Sequence, residues 1–178
     1  MKVKNIVVLL AVMHGSSLWA ACDFPDSERA EAPAWLCGEP RFEDASFLAV
    51  GDKSRMPSVS LQNRFAGRMG IEQVLSKLFL AAHDTLQEEL PVAVKLEIPD
   101  NSDPVVARRF MGIRVFDKAK SPQRHLYVLV GVPESERAAL MARARQDIVS
   151  LNRDRLLAAL GPAGYKAFAD KVMAPPPE

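Results

Sequence analysis

Polar and apolar positions alternate along this chain in two rhythms. Over residues 60–87, Leu61, Phe65, Ile71, Leu75, Leu78, Phe79, Ala82 and Leu86 recur at about 100° per residue, which predicts one long amphipathic helix. Gly67 and Gly70 fall inside it, each disfavouring helix by up to about 1 kcal/mol relative to alanine. Such small residues either let a helix lie close to a sheet or open its backbone to a ligand. Before the helix, residues 47–50 form a short strand-like run closed by Gly51, and residues 52–58 read as a turn. After it, Val92, Val94, Leu96 and Ile98 alternate with Ala93, Lys95 and Glu97, the pattern of a strand with one face buried and one wet.

Residues 99–104, PDNSDP, form a loop by composition. Residues 110–116 and 125–132 read as two strands joined by the polar stretch 117–124, hence as an antiparallel hairpin. In the second strand Leu126, Val128, Val130 and Val132 share a face. Pro133 then opens a helix, with Glu134 and Glu136 in its first turn, where the macrodipole favours acids. Leu140, Met141, Ala144, Ile148 and Leu151 form its apolar stripe, and Gly161 and Pro162 are expected to stop it. A short helix over 165–173 and a proline-rich tail complete the chain. The expected fold is α+β, in the order β-α-β-β-β-α: an antiparallel sheet of about four strands, with a long helix and a C-terminal helix on one face. The other face is expected to be wet or covered by a partner.

The beginning of the chain has a different character. Lys2 and Lys4 precede the apolar run 6–13, and small residues follow at Ala20 and Ala21, the layout of a secretory signal peptide over residues 1–21. The run is far shorter than the roughly 20 residues of a transmembrane helix. The organisation expected is a signal peptide (1–21), a lead-in (22–46), an α+β domain (47–160), and a short helix with its tail (161–178). The periplasm is the expected location.

Composition narrows the classes. With 178 residues, 48% hydrophobic and 25% charged, the chain suits one globular domain. Aromatics are only 7%, so aliphatic side chains must fill most of the core. A formal charge of +1 removes the bulk electrostatic case for nucleic-acid binding. Cys22 and Cys37 are the only cysteines. In an oxidising compartment an even number of thiols pairs, so a Cys22–Cys37 disulfide is expected, constraining the lead-in by about 3 kcal/mol. The alternative is lipidation of Cys22, for which Ala20 and Ala21 are suitable and Trp19 is not. That would place the chain at the outer membrane, and membrane contact is expected in that case alone.

The segment AEAPAWLCGEP (30–40), the run ASFLAVGDKS and the helical FAGRMGIEQVLSKL together resemble the Lpp-twenty family of small bacterial envelope lipoproteins. Pro33, Trp35, Gly51, Ala66 and Arg68 stand at the positions that carry the likeness, and HLYVLVGVP resembles the family's closing strand. The resemblance implies a small α+β domain at the outer membrane or in the periplasm, often oligomeric or attached to larger envelope assemblies, with no known catalysis.

Candidate chemistry is sparse. His83 sits beside Asp84 and His125 opens a strand, but their spacing demands no metal, and no nucleophile elbow or phosphate-cradling loop occurs. No cofactor is expected, and no enzyme. Trp35 reads either as an exposed anchor for a partner or as a ring packed over a core edge. Arg108, Arg109, Arg114, Lys118, Lys120 and Arg124 make residues 105–125 basic, while Asp23, Asp26, Glu28, Glu31, Glu39, Glu43 and Asp44 make the lead-in acidic. Patches of opposite sign favour head-to-tail self-association or a charged protein partner. The expected function is therefore accessory or structural association in the envelope. Binding of envelope glycan or glycolipid, and periplasmic hydrolysis, are the alternatives.

Overall fold

The computed structural model describes residues 22–174; the expected signal segment and the last tail residues, 175–178, lie outside them. Short strands β1 (Asp23–Phe24) and β2 (Ser27–Glu31) form a two-stranded ribbon, followed by a 3-10 turn over Ala34–Leu36. Strand β3 (Ala45–Lys53) leads into helix α1 (Val59–Glu89), whose first turn is capped by the Ser58 hydroxyl accepting from the Leu61 amide. A short helix α2 (Pro104–Arg108), strands β4 (Arg114–Lys120) and β5 (Leu126–Pro133), and helices α3 (Glu134–Leu151) and α4 (Arg153–Met173) complete the order. The main sheet is antiparallel, β3-β5-β4, with β5 central and buried along almost its whole length. The α+β class is as expected. The strand count differs, because three strands form this sheet and the other two form the separate ribbon.

The missing strand is 92–98. Its alternation overstates the burial and brings no ladder pairing: Val94 packs against the core, while Val92 and Ile98 stand exposed. Leu96 enters the core, while a side chain takes the place of a neighbouring strand: Asn152 accepts from the Glu97 amide and donates to the Glu97 carbonyl, both at 2.8 Å. The strand expected at 110–116 begins later. Phe110 is a core residue just after α2, and the polar 117–120 stretch continues β4 as a wet edge carrying lysines, which protect an exposed edge. The connection shrinks to a tight turn in which the Arg124 amide donates to the Ser121 carbonyl.

Nor do Gly161 and Pro162 end the third helix. It stops at Asn152, and α4 runs on through a kink at Gly161, whose φ of 69° suits a residue without a Cβ. Phe168 and Val172 reach the main core, so its packing continues past residue 160.

Two cores sandwich the sheet. Ala49, Val128, Val130 and Val132 face the helices, while Leu48, Tyr127 and Leu129 face a second cluster with Phe24, Ala32 and Trp35. The face expected to be wet or partner-covered is thus covered by the chain's own lead-in.

Helix α1 seats itself through small residues. A Cβ on Gly51 would overlap the Ala66 carbonyl oxygen and the Gly70 amide nitrogen, so β3 runs directly beneath the helix backbone. Gln62, Ala66, Gly70 and Val74 form the buried edge of the helix's first half. The bulky residues expected on that face, Leu61 and Phe65, are displaced outward and stand 41% and 42% exposed.

Candidate functional site

The expected site residues separate into distinct places. Cys22 and Cys37 are bonded, with their Cα atoms 5.6 Å apart. The bridge fits an oxidising compartment. Trp35, 6% exposed, lies in the second core, and its indole N–H donates to Asp117 Oδ2 at 2.8 Å. The exposed-anchor reading of Trp35 is thereby corrected: its polar handle is satisfied internally, as buried indoles require.

The basic stretch is likewise divided. Arg109 pairs with the buried Asp147 on α3, and Arg114 approaches Glu136 at 4.0 Å. Lys118 donates to Asn63 on α1 at 2.9 Å. Lys120 and Arg124 are exposed, and their side chains meet no partner among the described residues. Arg108 points elsewhere, toward a cleft beside α1. The acidic lead-in also adjoins the basic hairpin within one molecule. Asp26 accepts from Ser121 Oγ at 2.6 Å and from the Tyr127 hydroxyl at 3.0 Å.

That contact belongs to a polar cluster which the sequence pattern did not single out. Burial works against ionisation of Asp26, but the bonds from Ser121 and Tyr127 outweigh it and hold its carboxyl below the usual range. Burial, reinforced by Asp26, pushes the Tyr127 phenol up to about 12. The His125 ring stacks on Tyr127 and meets Asp52 at 2.7 Å. Ser121 and His125 do not constitute a nucleophile–base pair, because the hydroxyl proton goes to Asp26 and the imidazole nitrogen to Asp52. His83 bonds Asp84 at 3.1 Å on the outer side of α1. No group of three or more metal-ligating side chains converges among the described residues.

Two surfaces of α1 remain open. On one flank Leu61, Phe65 and Met69, spaced at i, i+4 and i+8, form an apolar stripe, Met69 being 38% exposed; Lys53 caps it with its ammonium 5.7 Å from the Phe65 ring centroid. On the other flank a cleft of about 450 Å³ lies between α1, residues 101–102 and the end of α2. Its floor is apolar, made by Gly67, Ile71 and Ala107, and Arg64, Arg68 and Arg108 stand around it. Arg64 and Arg68 bracket Gly67 along the helix, a notch between two guanidinium groups that is legible in the sequence only once the buried edge is known. No protein-family model, curated protein or solved structure matches the chain.

Proposed function

We propose that this chain is an exported accessory or structural protein of the bacterial envelope, located in the periplasm, that works by association with further copies of itself and not by turnover. The reading is supported above all by the Leu61–Phe65–Met69 stripe: a contiguous row of large, exposed apolar side chains along one helix face is the anatomy of a contact surface. The signal-like start of the chain, the bonded cysteines and the resemblance to Lpp-twenty lipoproteins support the setting.

Charge favours a second copy as the occupant. Lys53 caps the stripe, whereas the lead-in carries the exposed Phe42 among Glu39, Glu43 and Asp44. An acidic, Phe42-bearing lead-in from one copy on the Lys53-capped stripe of the next makes a head-to-tail contact. Sedimentation equilibrium at low and high salt tests it. The parent is expected to associate with rising concentration and less so in salt, while Phe65→Glu, at an exposed position, should keep the fold and weaken association by at least about 30-fold, as for a central aromatic anchor. A parent that stays monomeric at every concentration, or a Phe65→Glu variant that associates like the parent, overturns the proposal.

A further inference from the structure

We infer that the cleft between α1 and α2 is a binding site for a single-chain anionic amphiphile, one alkyl or acyl chain ending in a phosphate or carboxylate. The inference stands apart from the association reading, since the cleft lies on the opposite flank of α1 from the Leu61–Phe65–Met69 stripe. Its volume of about 450 Å³ falls in the lower half of the roughly 300–1,000 Å³ typical of small-molecule sites, enough for one chain.

Shape and charge converge on that ligand class. Gly67 supplies the depth: a Cβ there would meet nothing within 4 Å, so the missing side chain leaves open space directly over the helix backbone. Ile71 and Ala107 extend this floor with aliphatic surface, and both also pack against the main core, which holds them in place.

The rim carries three arginines against one acid, Glu72, and is only partly committed. Arg68 is engaged, its Nε donating to Glu72 at 2.7 Å and its terminal nitrogen to the Ser102 carbonyl at 3.3 Å. Arg64 on α1 and Arg108 on α2 have no ion pair or side-chain hydrogen bond among the described residues, yet both line the same cleft from different elements. Two uncommitted guanidinium groups over an apolar floor match an oxyanion attached to a hydrocarbon, because each offers a planar fork of donors to the head group. A neutral chain would leave the forks unused, and a free inorganic anion would leave the floor unused.

The experiment is calorimetric titration of the purified protein with decyl phosphate, kept below the concentration at which it forms micelles. Decyl maltoside and inorganic phosphate are the comparators, and decanoate tests the second head group. Decyl phosphate is expected to bind at least tenfold more tightly than either comparator. Decanoate should follow decyl phosphate if any oxyanion serves, and a preference for one head group names the source within the class. The Arg64→Ala/Arg108→Ala double variant should lose at least tenfold. Gly67→Leu, which projects into empty space and spares the fold, should abolish chain binding while its melting temperature stays at or above the parent's. Lys120→Ala, a basic residue away from the cleft, and Phe65→Glu should both bind like the parent. No binding of either decyl anion, equal binding of inorganic phosphate, or unchanged affinity in Gly67→Leu overturns the inference.

Discussion

Gly67 and Gly70 occupy one turn of the same helix, so replacing either with alanine improves intrinsic helix propensity by about 1 kcal/mol. What separates them is where the new methyl group lands. At position 67 it meets nothing within 4 Å; at position 70 it lies 2.5 Å from Val130 Cγ2, 3.1 Å from Val130 Cβ and 3.2 Å from the Gly51 amide nitrogen. Val130 is fully buried in the central strand, and a β-branched side chain has no spare rotamer into which to retreat. Overpacking of this kind costs about 1–3 kcal/mol. Gly67→Ala should therefore stabilise by up to about 1 kcal/mol, and Gly70→Ala should range from neutral to about 2 kcal/mol destabilising. Because propensity cancels between the two variants, their difference isolates the overpacking cost. Calorimetric melting reads it directly, at roughly 2–4 °C per kcal/mol for a domain of this size. If both alanines moved the melting temperature in the same direction by similar amounts, the close seat of α1 on the sheet would be refuted.

Two further variants probe contacts elsewhere in the fold. The Cys22→Ser/Cys37→Ser double variant should lose about 3 kcal/mol, since the bridge closes a loop across a sequence separation of 15, and reductant should lower the parent's melting temperature but not the variant's. Burial raises the Asp147 carboxyl above its ordinary 3.8, against the pull of Arg109 and Arg143. A raised folded-state value means that its contribution to stability is full below the ordinary carboxylate range and is lost as pH rises through the raised one, each unit of elevation being worth about 1.4 kcal/mol. Urea unfolding at pH 4, 5.5 and 7 should therefore show the parent falling relative to Asp147→Asn as pH rises, and parallel pH curves would disprove it.

The parts of the fold that sequence periodicity reveals are those where side-chain size and burial agree. β5 is readable because Leu126, Val128, Val130 and Val132 all enter one core, and α3 because Leu140, Ala144 and Ile148 do likewise. The first half of α1 is not, because its buried edge carries Gln62, Ala66 and Gly70 while large residues stand outside. Gln62 looks polar and surface-bound by type, yet its amide donates to the carbonyls of Lys53, Ser54 and Arg124, tying helix, strand end and hairpin turn together. Residues 92–98 mislead for a related reason: a single asparagine, distant in sequence, supplies the pairing that a strand would otherwise give. The lead-in's place over the sheet was hidden because its few apolar residues, Phe24, Ala32 and Trp35, are scattered among acids. The disulfide was legible from the cysteine count taken together with the signal-like start of the chain. The cleft was not, since Arg64 and Arg108 meet only through the fold.

Both open surfaces of α1 trace to one packing choice. A helix that presents leucines and phenylalanines to a sheet is held away from it by their bulk, and its remaining circumference is left to polar residues. Here Gly51, Ala66 and Gly70 remove that bulk at the contact, and the helix backbone settles onto β3. With about 100° between successive residues, a seat through positions 66 and 70 places 61, 65 and 69 on one flank and 64, 67 and 71 on the other. Large apolar residues on the first flank then have no sheet to cover them, which makes the stripe. On the second flank a third small residue, Gly67, lies beside α2 with nothing to fill the gap, which makes the cleft. Stability alone would favour alanine over glycine at position 67, since the methyl group is unopposed there and the helix gains propensity. Glycine at position 67 therefore gives up helix stability and leaves open the space that the proposed ligand would fill.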